Sequence, residues 1–464
     1  MTVIEQRMLH SDAIAWYMEK DPVLRSTVVA VVMLDRSPDW MRLRDRIDRL
    51  TRVVPVLRMS VHTPPLRVGP PRWSLDEKFD LDFHLRRVRV TDSGGLPEVL
   101  EYARTAAMAG FDRDRPLWEF TLLEGMADRG AALVVKIHHS MTDGIGGVQL
   151  AGMVVDAGPD SPELEPLPQM PNGHSLSGLE LALHSLEDDT TEAFSAATKI
   201  VRSLPKQAAR AIVHPVDWTK RAVRGVISVG RFVAPINRQS STAFGERRLT
   251  RTLATLDVPL AELRAAAKES GGHLNDAYLA AITAGIKRYH DTQGASLPTM
   301  HVTVPVSIRS ESDCVGSNRI TLIRIELPAD LADPMQRIRE ISAIMARWRN
   351  EPALHHTQEI AFGLSMLPRP YLGSMLKKVE VVASDVPGIL QSVWLAGAQV
   401  TGYYPFGPTI GSAMNVTLMS YAGVCNLGIN IDTSAIDNPE LMLDCLRYGF
   451  KEVLAINALD SVAD

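Results

Sequence analysis

The sequence predicts an α+β protein made of two mixed domains, and three observations carry that expectation. The chain has 464 residues, too many for one ordinary core and suited to two of roughly 200 residues each. Strand-like and helix-like patterns are interspersed in both halves. Between the halves lies a long segment whose charge reverses midway. These features divide the chain into 1–158, a linker at 159–245, and 246–464.

In the first half, 12–19 has the spacing of a short helix and 26–34 is a valine-rich strand. Apolar residues at helical spacing over 40–53 predict a second helix. Phe83, Leu85, Val88 and Val90 suggest a strand, 96–109 a helix, and 117–123 and 131–137 two further strands. In the second half, 253–258 reads as a strand, 260–268 and 274–289 as helices, and 302–306 and 320–327 as strands. The runs 414–421 and 424–431 flank Ala422-Gly423, which predicts a hairpin. A last helix begins near Asp437, with Asn438 as its cap and Pro439 in its first turn.

The linker starts acidic. From Asp156 to Glu192 there are nine acidic residues and no Lys or Arg, with Pro and Gly frequent at first. From Lys199 to Arg231 there are eight Lys or Arg and one acid, Asp217. Lys199, Arg202, Lys206 and Arg210 recur at helical spacing, interrupted by Pro205 and Pro215. Two readings stay open for 199–234: a contact with a membrane surface or lipid droplet, or a connector with a solvated charged face.

Composition excludes several classes. Hydrophobic content is 45% and charged content 22%, as in globular proteins. The net charge of −5 offers no basic excess for nucleic acid. Three cysteines, Cys314, Cys425 and Cys445, make neither a disulfide framework nor a zinc pair. The N-terminus lacks the apolar core of a signal peptide, and the longest apolar run, Val28 to Leu34, is far short of a membrane span. The expectation is a cytoplasmic protein with at most peripheral membrane contact.

Chemistry concentrates in His138-His139-Ser140-Met141-Thr142-Asp143-Gly144, directly after the strand AALVVKI. Histidine is the natural base for a hydroxyl proton near neutral pH. Adjacent strand residues point to opposite faces, so the two rings cannot easily share one site. That geometry favours one catalytic and one structural histidine over a metal site. A pair of merely structural histidines is equally compatible with the residues alone. The glycines after Asp143 allow a tight turn and close approach, and helical patterning resumes near Val148. A second pair, His355-His356, lacks the Asp-Gly and is read as exposed or bordering a channel.

HHSMTDG resembles the HHxxxDG motif of the chloramphenicol-acetyltransferase-like superfamily. Further blocks narrow the resemblance to bacterial wax ester synthase/diacylglycerol acyltransferases. They are Arg113-Asp114-Arg115-Pro116-Leu117-Trp118-Glu119, Leu274-Asn275-Asp276, and Val304-Pro305-Val306-Ser307 with Arg309, Gly316 and Asn318. Then come Ser384-Asp385-Val386-Pro387-Gly388, Leu395-Ala396-Gly397, Tyr404-Pro405, Asn415-Val416-Thr417 and Ser420-Tyr421-Ala422-Gly423. There are two departures. Position 385 is Asp where the family has Asn, and 21–26 lacks the family's Pro-Met-His segment.

The resemblance implies two chloramphenicol-acetyltransferase-like domains, each a mixed sheet with helices, facing one another across an active-site tunnel. It implies acyl-CoA-dependent transfer of a long-chain acyl group to a lipid alcohol, either diacylglycerol or a fatty alcohol. His139 would be the general base and His138 structural or positioning. Asp143 would shape the loop by pairing with Arg58 or Arg309, with Gly144 beside it. Asn275, Asp276 and Trp118 are candidates for substrate binding or the oxyanion, although Asn275 also suits a helix cap and the other two suit packing. Acyl-CoA is a co-substrate, and an activated thioester needs neither metal nor redox cofactor. The alternatives are a non-catalytic lipid-binding relative and a condensation-type transferase acting on another alcohol or an amine.

Overall fold

The computed structural model describes residues 5–160, 166–170 and 239–457, apart from 65–68, 91–93, 128, 310–312, 314–317, 350, 352–353, 355–359, 362–363, 365–370 and 374–376. The basic segment 199–234 and the pair His355-His356 lie outside the described residues.

The first half runs β1 (Glu5–Arg7), α1 (His10–Met18), β2 (Thr27–Leu34), α2 (Trp40–Val53), β3 (Met59–His62), β4 (Arg72–Leu75), α3 (Leu81–His84), β5 (Leu85–Arg89), α4 (Leu96–Met108), β6 (Trp118–Glu124), β7 (Ala131–His138) and α5 (Gly144–Gly152). The second runs β8 (Arg251–Pro259), α6 (Leu260–Glu269), α7 (Leu274–Thr292), β9 (Thr299–Ser307), β10 (Ile320–Pro328), α8 (Pro334–Arg349), β11 (Val381–Val386), β12 (Trp394–Leu395), β13 (Ala398–Phe406), β14 (Met414–Tyr421), β15 (Val424–Asp432) and α9 (Pro439–Leu454).

Local chemistry explains several boundaries. Asp39 caps α2 by accepting from the Arg42 N–H at 3.0 Å, and Pro55 follows its end. Leu43, Ile47 and Leu50 form its buried stripe, each contributing about 1.5–3 kcal/mol by leaving water. Ala422 and Gly423 have φ of 46° and 86°, the left-handed pair that a tight hairpin between β14 and β15 requires. Asn438 accepts from Leu441 N–H at 3.0 Å and opens α9 with Pro439.

Two expectations need correction. Phe83 lies in α3, because the Asp80 side chain accepts from Asp82 N–H and starts a helical turn there; the strand is only Leu85–Arg89. The helix after the histidine pair begins at Gly144 rather than near Val148, because Asp143 caps it and holds three glycines in helical form.

The sheets have the orders β12-β13-β2-β7-β6-β5, β10-β9-β11-β14-β15-β8, and the small β1-β4-β3. The sheets do not follow the chain's division into halves. β12 and β13 come from the second half, yet β13 pairs with β2 of the first. Where β13 crosses the second sheet, a Cβ on Gly428 would lie 1.9 Å from the Pro405 carbonyl oxygen, so only glycine fits.

The first sheet is covered differently on its two faces. Val29, Val31, Ala132 and Val134 pack with Val99 and Ala103 of α4. The alternate residues Val32 and Leu133 pack with Ile47 and Leu50 of α2. The second sheet buries one face against α6, α7, α8 and α9.

Candidate active site

The strand period carries His139 to its place. Leu133, Val135 and Ile137 of β7 line a cavity of about 230 Å³, and His139 continues the same alternation just beyond the strand end. His139 is half-buried, and its N–H donates to the Ser26 carbonyl at 2.9 Å. Its carbonyl accepts from Asn318 Nδ2 at 2.9 Å. Burial pushes its pKa below the ordinary imidazole value, with Asp143 acting in the opposite sense.

His138 turns the other way and is fully buried. The Ser140 N–H donates to its Nδ1 at 3.1 Å, so that nitrogen carries no proton. Its Nε2–H is therefore the donor toward Glu19 at 3.3 Å. Burial raises the Glu19 pKa, but bonding from His138 and Ser26 N–H and the charge of Arg25 outweigh it, so the carboxyl lies below its ordinary range. The segment that lacks Pro-Met-His is thus pinned against the motif by Ser26 on both sides.

Asp143 is the junction. Its Oδ1 accepts from Gly146 N–H at 2.6 Å, capping α5. Arg309 Nη2 lies 3.1 Å from both oxygens, and Arg319 N–H donates to Oδ2 at 2.6 Å. Of the two arginines expected as partners, Arg309 is the one. Arg58 instead bonds Asp48 at 2.6 Å and Thr51 at 2.9 Å, and stacks on Phe79. Beside Asp143, a Cβ on Gly144 would sit 2.7 Å from Val386 Cγ2, so glycine there lets the second half of the chain close on the first.

The opposite wall comes from the second sheet. Asn415, Thr417 and Ser384 line the cavity, with Ser384 and Thr417 side by side on β11 and β14. Thr417 donates to Asn415 Oδ1 at 2.7 Å, and Asn415 Nδ2 donates to the Pro408 carbonyl at 2.9 Å. β11 pairs with β9 only at Val381 and Val382; beyond that point Asp385 also borders the cavity. Burial pushes the Asp385 pKa up to about 6, against the pull of Arg264.

Asn275, Asp276 and Trp118 do not line this cavity. The reason is local bonding and burial. Asp276 Oδ2 reaches back to His273 N–H at 2.8 Å and closes the start of α7, so His273 rather than Asn275 is the cap residue. Trp118 is fully buried, donating to the Leu57 carbonyl at 2.7 Å and stacking on His84 at 4.6 Å.

Sequence reasoning missed the role of Asn318. It bridges the His139 carbonyl to Asp12 Oδ1, the latter at 2.6 Å. Burial raises the Asp12 pKa well above its ordinary value, with Asn318 opposing. Its place after Gly316 in the block that follows Arg309 was the available signal. Among the described residues, no group of three or more His, Cys, Asp or Glu side chains is placed to hold a metal ion. No helix among them is long and apolar enough to cross a membrane.

Comparison with known proteins agrees with this geometry. Residues 8–278 match the family described as wax ester synthase/diacylglycerol acyltransferase catalytic domain, and 316–453 match its C-terminal domain. A Mycobacterium tuberculosis protein that carries the provisional name diacylglycerol O-acyltransferase is 36% identical over 94% of this chain and 89% of its own. The fold is that of the wax ester synthase/diacylglycerol acyltransferase from Marinobacter aquaeolei VT8, with a TM-score of 0.63 at 22% identity over 97% of this chain and 99% of that one. It is also that of the first condensation domain of the CDA synthetase, with a TM-score of 0.60 at 15% identity over 98% and 97%. With both family regions matched in order around the HHxxxDG loop, the chain belongs to the wax ester synthase/diacylglycerol acyltransferase family of O-acyltransferases.

Proposed function

We propose that this protein transfers a long-chain acyl group from acyl-CoA to a lipid alcohol, diacylglycerol or a fatty alcohol, with His139 as general base. The observation that carries this reading is the placement of His139. It is the histidine of the pair that faces the cavity, and burial keeps its imidazole neutral near pH 7. The imidazole takes the proton of the acceptor hydroxyl as the oxygen attacks the thioester carbon. The carbon–sulfur bond then breaks, and the proton passes to the departing thiolate of CoA. The thioester is already activated, so acyl-CoA serves as co-substrate and the transfer draws on no further cofactor.

His138 supports the base by anchoring the strand end through Glu19 and Ser140. Asp143 acts structurally, through Arg309 and the cap of α5. The lipid acceptor suggests a cytoplasmic protein working at a membrane face or lipid droplet, with 199–234 as the contact. The linker 159–245 then separates an N-terminal acyltransferase domain, 1–158, from a C-terminal one, 246–464, the second lending β12 and β13 to the first.

The test follows CoA release from palmitoyl-CoA with hexadecanol, diacylglycerol and an amine, for wild type and His139→Ala. Transfer to an alcohol that falls by about 10²–10⁴-fold in a folded His139→Ala protein supports the base. Release that persists in that variant removes it. Transfer only to the amine favours condensation chemistry, and no transfer to any acceptor favours a lipid-binding role.

A further inference from the structure

Tyr278, Tyr404 and Tyr421 are buried, and each hydroxyl donates inside the protein. Tyr278 bonds the Val416 carbonyl at 2.7 Å, Tyr404 bonds Asp257 Oδ2 at 3.1 Å, and Tyr421 bonds the Val400 carbonyl at 2.9 Å. Tyr403 differs. Its backbone N–H donates to Asn426 Oδ1 at 3.1 Å, but its hydroxyl has no hydrogen-bond partner among the described residues.

Alternation along β13 decides where that hydroxyl goes. Tyr404 turns to the face covered by α4 and packs with Val29 and Val31. Tyr403 and Pro405 turn the other way. They pair with Val32 and Ala30 of β2, and all four line the cavity. Tyr403 is half-buried, and burial alone pushes its pKa up to about 12, so the phenol stays protonated where water is scarce. Its surroundings are aliphatic: Val32 and Leu133 sit side by side on β2 and β7 and pack with Ile47 and Leu50 of α2. A hydroxyl in such surroundings is unfavourable until it is paired, so its partner comes from what occupies the cavity.

The strands also locate that partner on the occupant. Leu133, level with Val32, is six residues before His139, about 20 Å of strand. The phenol therefore meets an oxygen many bonds from the reacting carbon. The ester groups of diacylglycerol lie only a few bonds from its free hydroxyl and do not meet this requirement.

We propose that Tyr403 selects lipid chains carrying an in-chain oxygen, a hydroxyl or oxo group in the outer half of the chain, by donating a hydrogen bond to it. This rests on the acyl transfer proposed above. The same chemistry serves a chain on the acyl donor or on the alcohol, and the test separates the two.

Tyr403→Phe removes the hydroxyl and keeps the ring. kcat/KM is measured for 12-hydroxyoctadecanoyl-CoA and octadecanoyl-CoA at fixed hexadecanol. It is measured likewise for 1,12-octadecanediol and octadecanol at fixed palmitoyl-CoA. In at least one series the ratio of oxygenated to plain substrate falls by about three- to tenfold in Tyr403→Phe, and that series identifies the chain. The ratio for 3-hydroxyoctadecanoyl-CoA stays in place. Unchanged ratios in both series, or an equal fall for the 3-hydroxy substrate, overturn the assignment.

Thermal melting separates a ligand contact from a contact within the fold. Tyr403→Phe should melt no lower than wild type. Tyr421→Phe, which loses bonds to the Val400 carbonyl and the Val393 N–H, should melt lower. A Tyr403→Phe protein that melts as low as Tyr421→Phe shows a hydroxyl already paired within the fold and overturns the proposal.

If wild type transfers to no acceptor, the proposed function fails, and calorimetric titration with 12-hydroxyoctadecanoic and octadecanoic acids still decides Tyr403. The affinity ratio must then fall by a similar factor in Tyr403→Phe. An unchanged ratio, or no binding of the hydroxylated acid, overturns it.

Discussion

Arg309, from the second half of the chain, places Nη2 3.1 Å from both carboxylate oxygens of Asp143, in the loop joining β7 to α5 of the first half. The same carboxylate caps α5 and takes the Arg319 N–H. One side chain therefore ties the base-bearing loop to both its own helix and the opposite half.

Asp143→Ala is expected to cost about 3–5 kcal/mol, because it takes the carboxylate away from a largely buried guanidinium and uncaps α5. Soluble yield and urea midpoint should fall together with activity. An inactive variant with the stability of wild type contradicts the structural role.

The pH profile follows from the direction of the His139 shift. Burial, its leading cause, places the folded pKa below 6.5. The neutral base is then fully available above that value and is lost as pH falls through the lower, folded pKa. The stability linked to the neutral ring has the same sign: it is present above the unfolded value and declines as pH falls, because the unfolded chain takes the proton more readily. kcat/KM should be flat near neutral pH with an acid limb centred below 6.5. An acid limb centred above it would count against His139 as the titrating group.

Two glycines in α5 should respond oppositely. Gly144→Ala meets Val386 Cγ2 at 2.7 Å and is expected to destabilise by about 1–3 kcal/mol. Gly147→Ala meets nothing within 4 Å and should be neutral or stabilising by about 0.5–1 kcal/mol. Thermal melts of the two variants check the contrast.

Asn318→Ala removes donors to the His139 carbonyl and to Asp12, for an expected loss of about 1–3 kcal/mol. The Asp12 pKa is already raised by burial and loses its main opposing bond. A raised folded pKa favours the fold below it and penalises the fold as the carboxyl ionises. The loss should therefore be larger at alkaline than at mildly acidic pH, measured by denaturation at both. A pH-independent loss would show that Asp12 is not the group left stranded.

Much of the local structure was legible in the residues. The stripe of Leu43, Ile47 and Leu50 marked α2, Ala422-Gly423 marked the hairpin, and Asn438-Pro439 marked the start of α9. Alternation alone separated His138 from His139, and the cavity follows that alternation. The errors arose where a single side chain outweighed the pattern: Asp80 starting a helix at Phe83, and Asp143 making a helix of glycines.

By itself, then, the sequence determined what depends on neighbours along the chain: periodicity, caps, turns, and ordered motifs specific enough to identify the family. Only the tertiary structure decided which arginine meets Asp143, that Asn275, Asp276 and Trp118 stand away from the cavity, that Asn318 supports His139, and that β13 completes the first half's sheet. These relations join residues more than a hundred positions apart in most cases. They are set by how two sheets cross and which side chains that crossing buries, and no local pattern carries that information.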